Sequence, residues 1–229
     1  MRMISRRRFG LHCSAWALAA TGLAGTGLAQ AAQQASQTIL VVGDSLSAEY
    51  GLQRGQGWVA LLGERLQADK KLAGAWRVQN ASISGDTTSG GRSRIAAALA
   101  QHKPAIVIIE LGANDALRGL SLAASKDNLA AMIKASQAAG ARVLLVGMQM
   151  PPNYGAAYGR EFEAMFAQAA QAAKISLVPF LLKGVADQPN AVQAGWFQAD
   201  GIHPVAKAHP LILDNVWREL RPMLDAKPR

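Results

Sequence analysis

An α/β fold with a mainly parallel five-stranded sheet is predicted by three observations. Apolar, β-rich runs alternate with stretches of helical periodicity five times along the chain. The segments between successive apolar runs are too long for hairpins, which leaves crossovers and parallel pairing. The clearest runs are continuously apolar, as strands covered on both faces must be. At 229 residues, half of them apolar, the chain can bury one sizeable core.

The elements follow in order. Residues 38–42 (TILVV) read as the first strand, ended by Gly43. A helix over 58–67 places Trp58, Leu61, Leu62, Arg65 and Leu66 at helical spacing. A short strand at 77–79 leads to a polar, Gly-rich turn at 84–91, and the Ala-rich stretch 92–101 is helical. Residues 105–110, entered through Pro104, form the most distinct strand. A helix over 122–139 stops at Gly140, a residue suited to the C′ position, and 142–147 is the next strand. Residues 151–155 read as a loop, 158–173 as a helix, and 176–179 as a short strand followed by a loop region; helical segments over 205–224 close the chain. No repeat, charge run or composition break marks a second domain.

The net charge of +9 would suggest nucleic acid or an anionic surface if the folded domain carried it. Its placement argues otherwise. Arg2, Arg6, Arg7 and Arg8 precede an apolar stretch over 9–28, and Ala29-Gln30-Ala31 follows. Basic start, apolar middle and small-x-small site describe a secretory signal peptide cleaved after Ala31, with 32–37 a linker and 38–229 a single domain. Removing 1–31 takes four cations and no acid, leaving 20 against 15, or +5. Cys13 leaves too, so no disulfide and no Cys-rich zinc site is expected. Ser5-Arg6-Arg7-Arg8-Phe9 resembles a twin-arginine export signal; an Arg-rich Sec signal fits as well. The expected location is periplasmic or secreted, with no membrane span after processing and no nucleic-acid partner.

In parallel sheets, ligands bind beyond the carboxyl ends of the strands. After the first strand stands Gly43-Asp44-Ser45-Leu46-Ser47, where a serine hydroxyl at a strand-to-helix turn could act as nucleophile. Ser47 replaces the second glycine of a G-x-S-x-G elbow, and an Asp-Ser pair alone is commoner as a helix N-cap. Gly85 follows the second strand and Asn114 the third; either could donate to an oxyanion near Ser45, and either could simply serve a turn. Near the end, Asp200 precedes His203 by three residues, close enough to hold the imidazole in one tautomer. His12 falls in the leader, His102 in a loop, and His209 reads as a solvated helix residue, which leaves His203 as the candidate base.

Gly-Asp-Ser-Leu, Gly85, Gly-x-Asn-Asp and Asp-x-x-His occur in that order, and together they are far more specific than apart. The sequence here resembles the GDSL, or SGNH, hydrolase family over essentially the whole mature chain. It is most similar to the periplasmic acyl-CoA thioesterase/lysophospholipase and arylesterase group, through residues 80–87, 110–119, 152–155 and 200–204. Ala113 and Ala116 depart from that group, which often has glycine there. The resemblance implies a flavodoxin-like three-layer α/β/α sandwich and hydrolysis through an acyl-enzyme. Ser45 would be nucleophile, His203 base and then acid, and Asp200 its orienting partner. The Ser45 and Gly85 N–H groups with the Asn114 side chain would form the oxyanion hole, with no metal or cofactor. Asp44 and Asp115 are expected as supports of their turns.

Leu46, Ala116, Leu117, Leu120, Met150, Pro151 and Tyr154 lie in or beside the strand-end loops and are candidates to line an acyl groove, although such residues are more often core than pocket. Carboxylic and aryl esters, acyl thioesters and lysophospholipids are the implied substrates of a monomeric enzyme. A carbohydrate O-acetyl esterase and a non-enzymatic envelope binding protein are the alternatives. A nucleotide-binding domain is disfavoured because no G-x-G-x-x-G follows the first strand.

Overall fold

The computed structural model describes residues 36–225. The predicted leader lies outside them, as do residues 32–35 of the linker. Strand β1 (Gln37–Gly43) starts one residue ahead of the predicted run and is followed by α1 (Trp58–Ala68), β2 (Trp76–Asn80) and α2 (Thr88–His102). Next come β3 (Ile106–Glu110), a short helix α3 (Ala113–Leu117), α4 (Leu122–Ala138) and β4 (Arg142–Val146). Then α5 (Ala156–Ala173), β5 (Ser176–Val178) and α6 (His209–Asp225) complete the chain, with single 3-10 turns at Pro152–Tyr154 and Ala206–Ala208.

All five strands pair in parallel, in the order β2-β1-β3-β4-β5. Helices α1 and α6 pack together, and α2, α4 and α5 form a second group. The result is the expected three-layer α/β/α sandwich. Continuous runs in β1 and β3 are buried on both faces, from Ile39 to Val42 and from Ile106 to Ile109. That double coverage is why neither run alternates with polar residues. The chain steps from β1 outward to β2, then returns to the other side of β1 as β3. This reversal opens a crevice at the carboxyl ends of β1 and β3, the place where such sheets bind ligands.

Two departures from the sequence reading involve helices. The turn predicted over 84–91 is shorter, because α2 already begins at Thr88; the Thr87 side chain caps it by accepting from Gly90 N–H. The Gly-x-Asn-Asp segment, read as a turn, forms α3, with Gly112 ahead of it at φ +126°. Ala113 and Ala116 are therefore helical residues. Alanine favours a helix over glycine by about 1 kcal/mol, so both residues firm this segment.

Candidate active site

The turn that carries Ser45 begins where β1 runs out. Gly43 has no side chain because there is no room for one: a Cβ there would lie 2.8 Å from both Glu110 Oε2 and Ser47 Oγ. Asp44 then folds back on its own turn, its Oδ1 accepting from Leu46 N–H at 3.0 Å. After Ser45, Ala48 N–H reaches Asp44 O in one isolated turn, and α1 starts at Trp58, where the sequence places it.

The structure brings Ser45, His203 and Asp200 together from the two ends of the chain. His203 Nε2 lies 2.8 Å from Ser45 Oγ, and His203 Nδ1 lies 2.7 Å from Asp200 Oδ2. Asp200 Oδ1 also accepts from the N–H groups of Ile202 and His203, at 2.9 and 3.0 Å. Burial alone would raise the Asp200 pKa; those two N–H bonds and the imidazole outweigh it and hold the carboxyl at about 2. A carboxylate on Nδ1 keeps the proton there and leaves Nε2 to accept from the serine hydroxyl. The Tyr50 ring packs on the imidazole, centroids 4.3 Å apart, and Gln198 Nε2 ties Tyr50 O to Pro204 O. Sequence reasoning missed Tyr50, which no local motif marks.

Gly85 sits at φ +79° and its carbonyl accepts from Arg118 Nη2 at 2.9 Å, so the loop after β2 is tied to the end of α3. Among the described residues, no acceptor meets the N–H of Ser45 or of Gly85. The Asn114 amide stands beside them in the first turn of α3, and its Nδ2 donates to Asp44 Oδ2 at 3.0 Å and to Asp86 O at 2.9 Å. Asp115 turns away from the site, accepting from Thr88 N–H at 2.9 Å and from Ser125 Oγ at 3.0 Å. Its contacts join α3 to α2 and α4 rather than bracing its own turn.

Ser45 and His203 open into a cavity of about 940 Å³. Of the predicted groove residues, Leu46, Leu117, Met150 and Pro151 line it, and Ala116, Leu120 and Tyr154 do not. The helical geometry of α3 explains the first correction. Ala113, Asn114 and Leu117 share the cavity face, while Ala116 points inward, 1% exposed, its carbonyl accepting from Tyr158 Oη. Leu120 and Tyr154 instead face solvent, 45% and 39% exposed. Much of the apolar lining comes from a segment read only as loop, through Phe180, Leu182 and Val192. The apolar Phe-Leu-Leu after β5 was the one available signal.

His209 also departs from its reading. It is 2% exposed, and its Nδ1 accepts from Trp58 N–H at 3.0 Å, capping α1 where Gly57 offers no side chain. Burial pushes its pKa down, so the ring is neutral.

This geometry can be set beside known proteins. A model of the GDSL-like Lipase/Acylhydrolase family matches residues 41–211. The chain belongs to that family. The GDSL-like chain is 53% identical over 192 residues to esterase TesA of Pseudomonas aeruginosa, covering 84% of this chain and 92% of that one. It is 38% identical over 191 residues to thioesterase 1/protease 1/lysophospholipase L1 of Escherichia coli K12, covering 83% and 86%. A crystal structure of TesA superposes with a TM-score of 0.76 at 51% identity, covering 82% of this chain and 99% of that one. This protein is a GDSL esterase/thioesterase.

Proposed function

We propose that Ser45, His203 and Asp200 hydrolyse medium- to long-chain acyl esters and thioesters through an acyl-enzyme. The observation that carries this reading is the Ser45–His203–Asp200 relay, at 2.8 and 2.7 Å, opening into a largely apolar cavity. Ser45 Oγ attacks the acyl carbonyl carbon as His203 Nε2 takes its proton. Asp200 holds the resulting imidazolium. The tetrahedral oxygen carries negative charge, and the free N–H groups of Ser45 and Gly85 with the Asn114 amide are its donors. Collapse breaks the bond to the leaving alkoxide or thiolate, which receives the proton from His203. Water, deprotonated by the same imidazole, then releases the acid and restores Ser45.

Leu46, Leu117, Met150 and Pro151 would hold the acyl chain, together with Phe180 and Val192. Aryl esters, acyl thioesters and lysophospholipids all present such a chain. The Arg-rich start and Ala29-Gln30-Ala31 support export to the periplasm or beyond as a processed enzyme. Among the described residues, no helix is long and apolar enough to cross a membrane.

The test is kcat/KM for a series of aryl esters and matched thioesters from acetyl to palmitoyl. An optimum at octanoyl or longer is expected, because each buried methylene contributes about 0.8 kcal/mol until the cavity is filled. A maximum at acetyl would replace this reading with the O-acetyl esterase.

A further inference from the structure

Behind the nucleophile turn lies a pair of carboxyl groups that the acyl-transfer steps do not use. Glu110 ends β3 with 0% exposure and Asp44 follows β1 with 1%. Glu110 Oε2 accepts from Ser47 Oγ at 2.7 Å and from Asp44 N–H at 3.4 Å; Trp58 Nε1 in turn donates to Ser47 Oγ at 3.2 Å. Glu110 Oε1 is equally buried and no donor reaches it. Among the described residues, no cation bonds to Glu110. Burial, and after it the like charge of the Asp44 carboxyl, push Glu110 well above the ordinary carboxylate range. Burial raises Asp44 as well, to about 6, against the opposing pull of Leu46 N–H, His203 and Asn114.

We propose that Glu110 is a positioning residue that remains a carboxylic acid at neutral pH, sharing its proton with the Asp44 carboxylate so that Asp44 holds the Asn114 amide and the Ser45 turn in place. Two buried carboxylates without a cation between them cannot both ionise, and one proton shared by the pair satisfies the otherwise orphaned Oε1. Asp44 accepts the Glu110 proton on one side. On the other it accepts from Leu46 N–H, at the nucleophile, and from Asn114 Nδ2, at the candidate oxyanion donor. A single anion thus sets the distance between the two arms of the site. The groups facing Asp44 are Glu110 from β3, His203 from the C-terminal loop and Asp86 from the loop after β2, whose charge is paired with Arg94 of α2 at 2.8 Å. The kinetic consequence rests on the catalytic reading above; the protonation state does not.

Glutamine at 110 can donate to Asp44 and accept from Ser47, as the acid does, whereas leucine can do neither. The purified full chain should therefore show a carboxylic-acid carbonyl band in its infrared spectrum at neutral pH that Glu110→Gln abolishes. On a soluble aryl ester, Glu110→Gln should keep kcat within about threefold and leave the acid limb of the pH profile where it was. Glu110→Leu should lower kcat at least tenfold with KM little changed. If Glu110→Leu does not fold, the glutamine variant decides alone. Absence of the acid band, or an acid limb displaced downward in Glu110→Gln because a neighbouring anion has been lost, overturns the proposal. The acid band with no esterase activity in the parent would instead refute the catalytic reading and leave Glu110 protonated.

Discussion

Asn114 shows why position alone does not assign a role. Both hydrogens of its amide are engaged, by Asp44 and by the carbonyl of Asp86, while the N–H groups of Ser45 and Gly85 stand free. To serve an oxyanion, the amide must share one of those hydrogens as charge builds on the substrate. If it does, Asn114→Ala lowers kcat by about 100- to 1,000-fold with KM little changed. If it only braces the loops, kcat is largely kept and stability falls by about 1 kcal/mol. Steady-state kinetics with a melting curve on the same variant separates the two. The grouping of Ser45, His203 and Asp200 was legible in sequence because each sits in a short local motif, Gly-Asp-Ser-Leu or Asp-x-x-His. Glu110 and His209 were not, since their partners Ser47 and Trp58 lie 63 and 151 residues away. A glutamate ending an apolar strand and a histidine opening a helix carry no local mark of burial.

At the scale of elements, α3 is the piece the sequence hid and the site depends on. Five residues are too few for a periodic signal, and Gly-x-Asn-Asp is ordinary turn chemistry. Its helical form sends Asn114 and Leu117 to the cavity and Asp115 to the interior, where that carboxylate binds Thr88 at the start of α2 and Ser125 in α4. An anion at the α2 N-terminus is favoured by the exposed N–H groups there. Asp115→Ala strands these buried donors and should cost about 2–3 kcal/mol, a loss of roughly 4–12 °C in Tm. Thermal melts of parent and variant measure this; an unchanged Tm would show that α3 is held by its packing alone. The long strands and helices, by contrast, were placed within a residue or two apart from the starts of α2 and α6, four residues off, because burial on two faces or one writes a strong pattern over many positions.

Across the whole molecule, the reversal of strand order beside β1 creates one crevice and gathers the titratable groups of both kinds around it. Their effects on stability have opposite signs. Asp200 is depressed to about 2, so its contribution is present above the ordinary carboxylate range and is lost as pH falls toward 2. Glu110 is raised, so the folded state binds its proton more tightly than the unfolded chain does. Its contribution is full below about pH 4 and is lost progressively as pH rises through neutrality. Tm of Glu110→Gln relative to the parent should therefore climb steadily from about pH 5 to pH 8, since only the parent carries that ionisation. A constant difference across that range would mean that Glu110 titrates as it does in an unfolded chain.

Acyl transfer to Ser45 is the claim on which the other roles at the site depend. It is tested most directly by mixing the enzyme with an excess of a soluble medium-chain aryl ester, quenching in acid during turnover, and mapping the peptides by mass spectrometry. The account predicts an acyl adduct on Ser45, its mass matching the acid half of the ester, and no adduct or turnover in Ser45→Ala. Hydrolysis that persists in Ser45→Ala, or an adduct on any other residue, would contradict it.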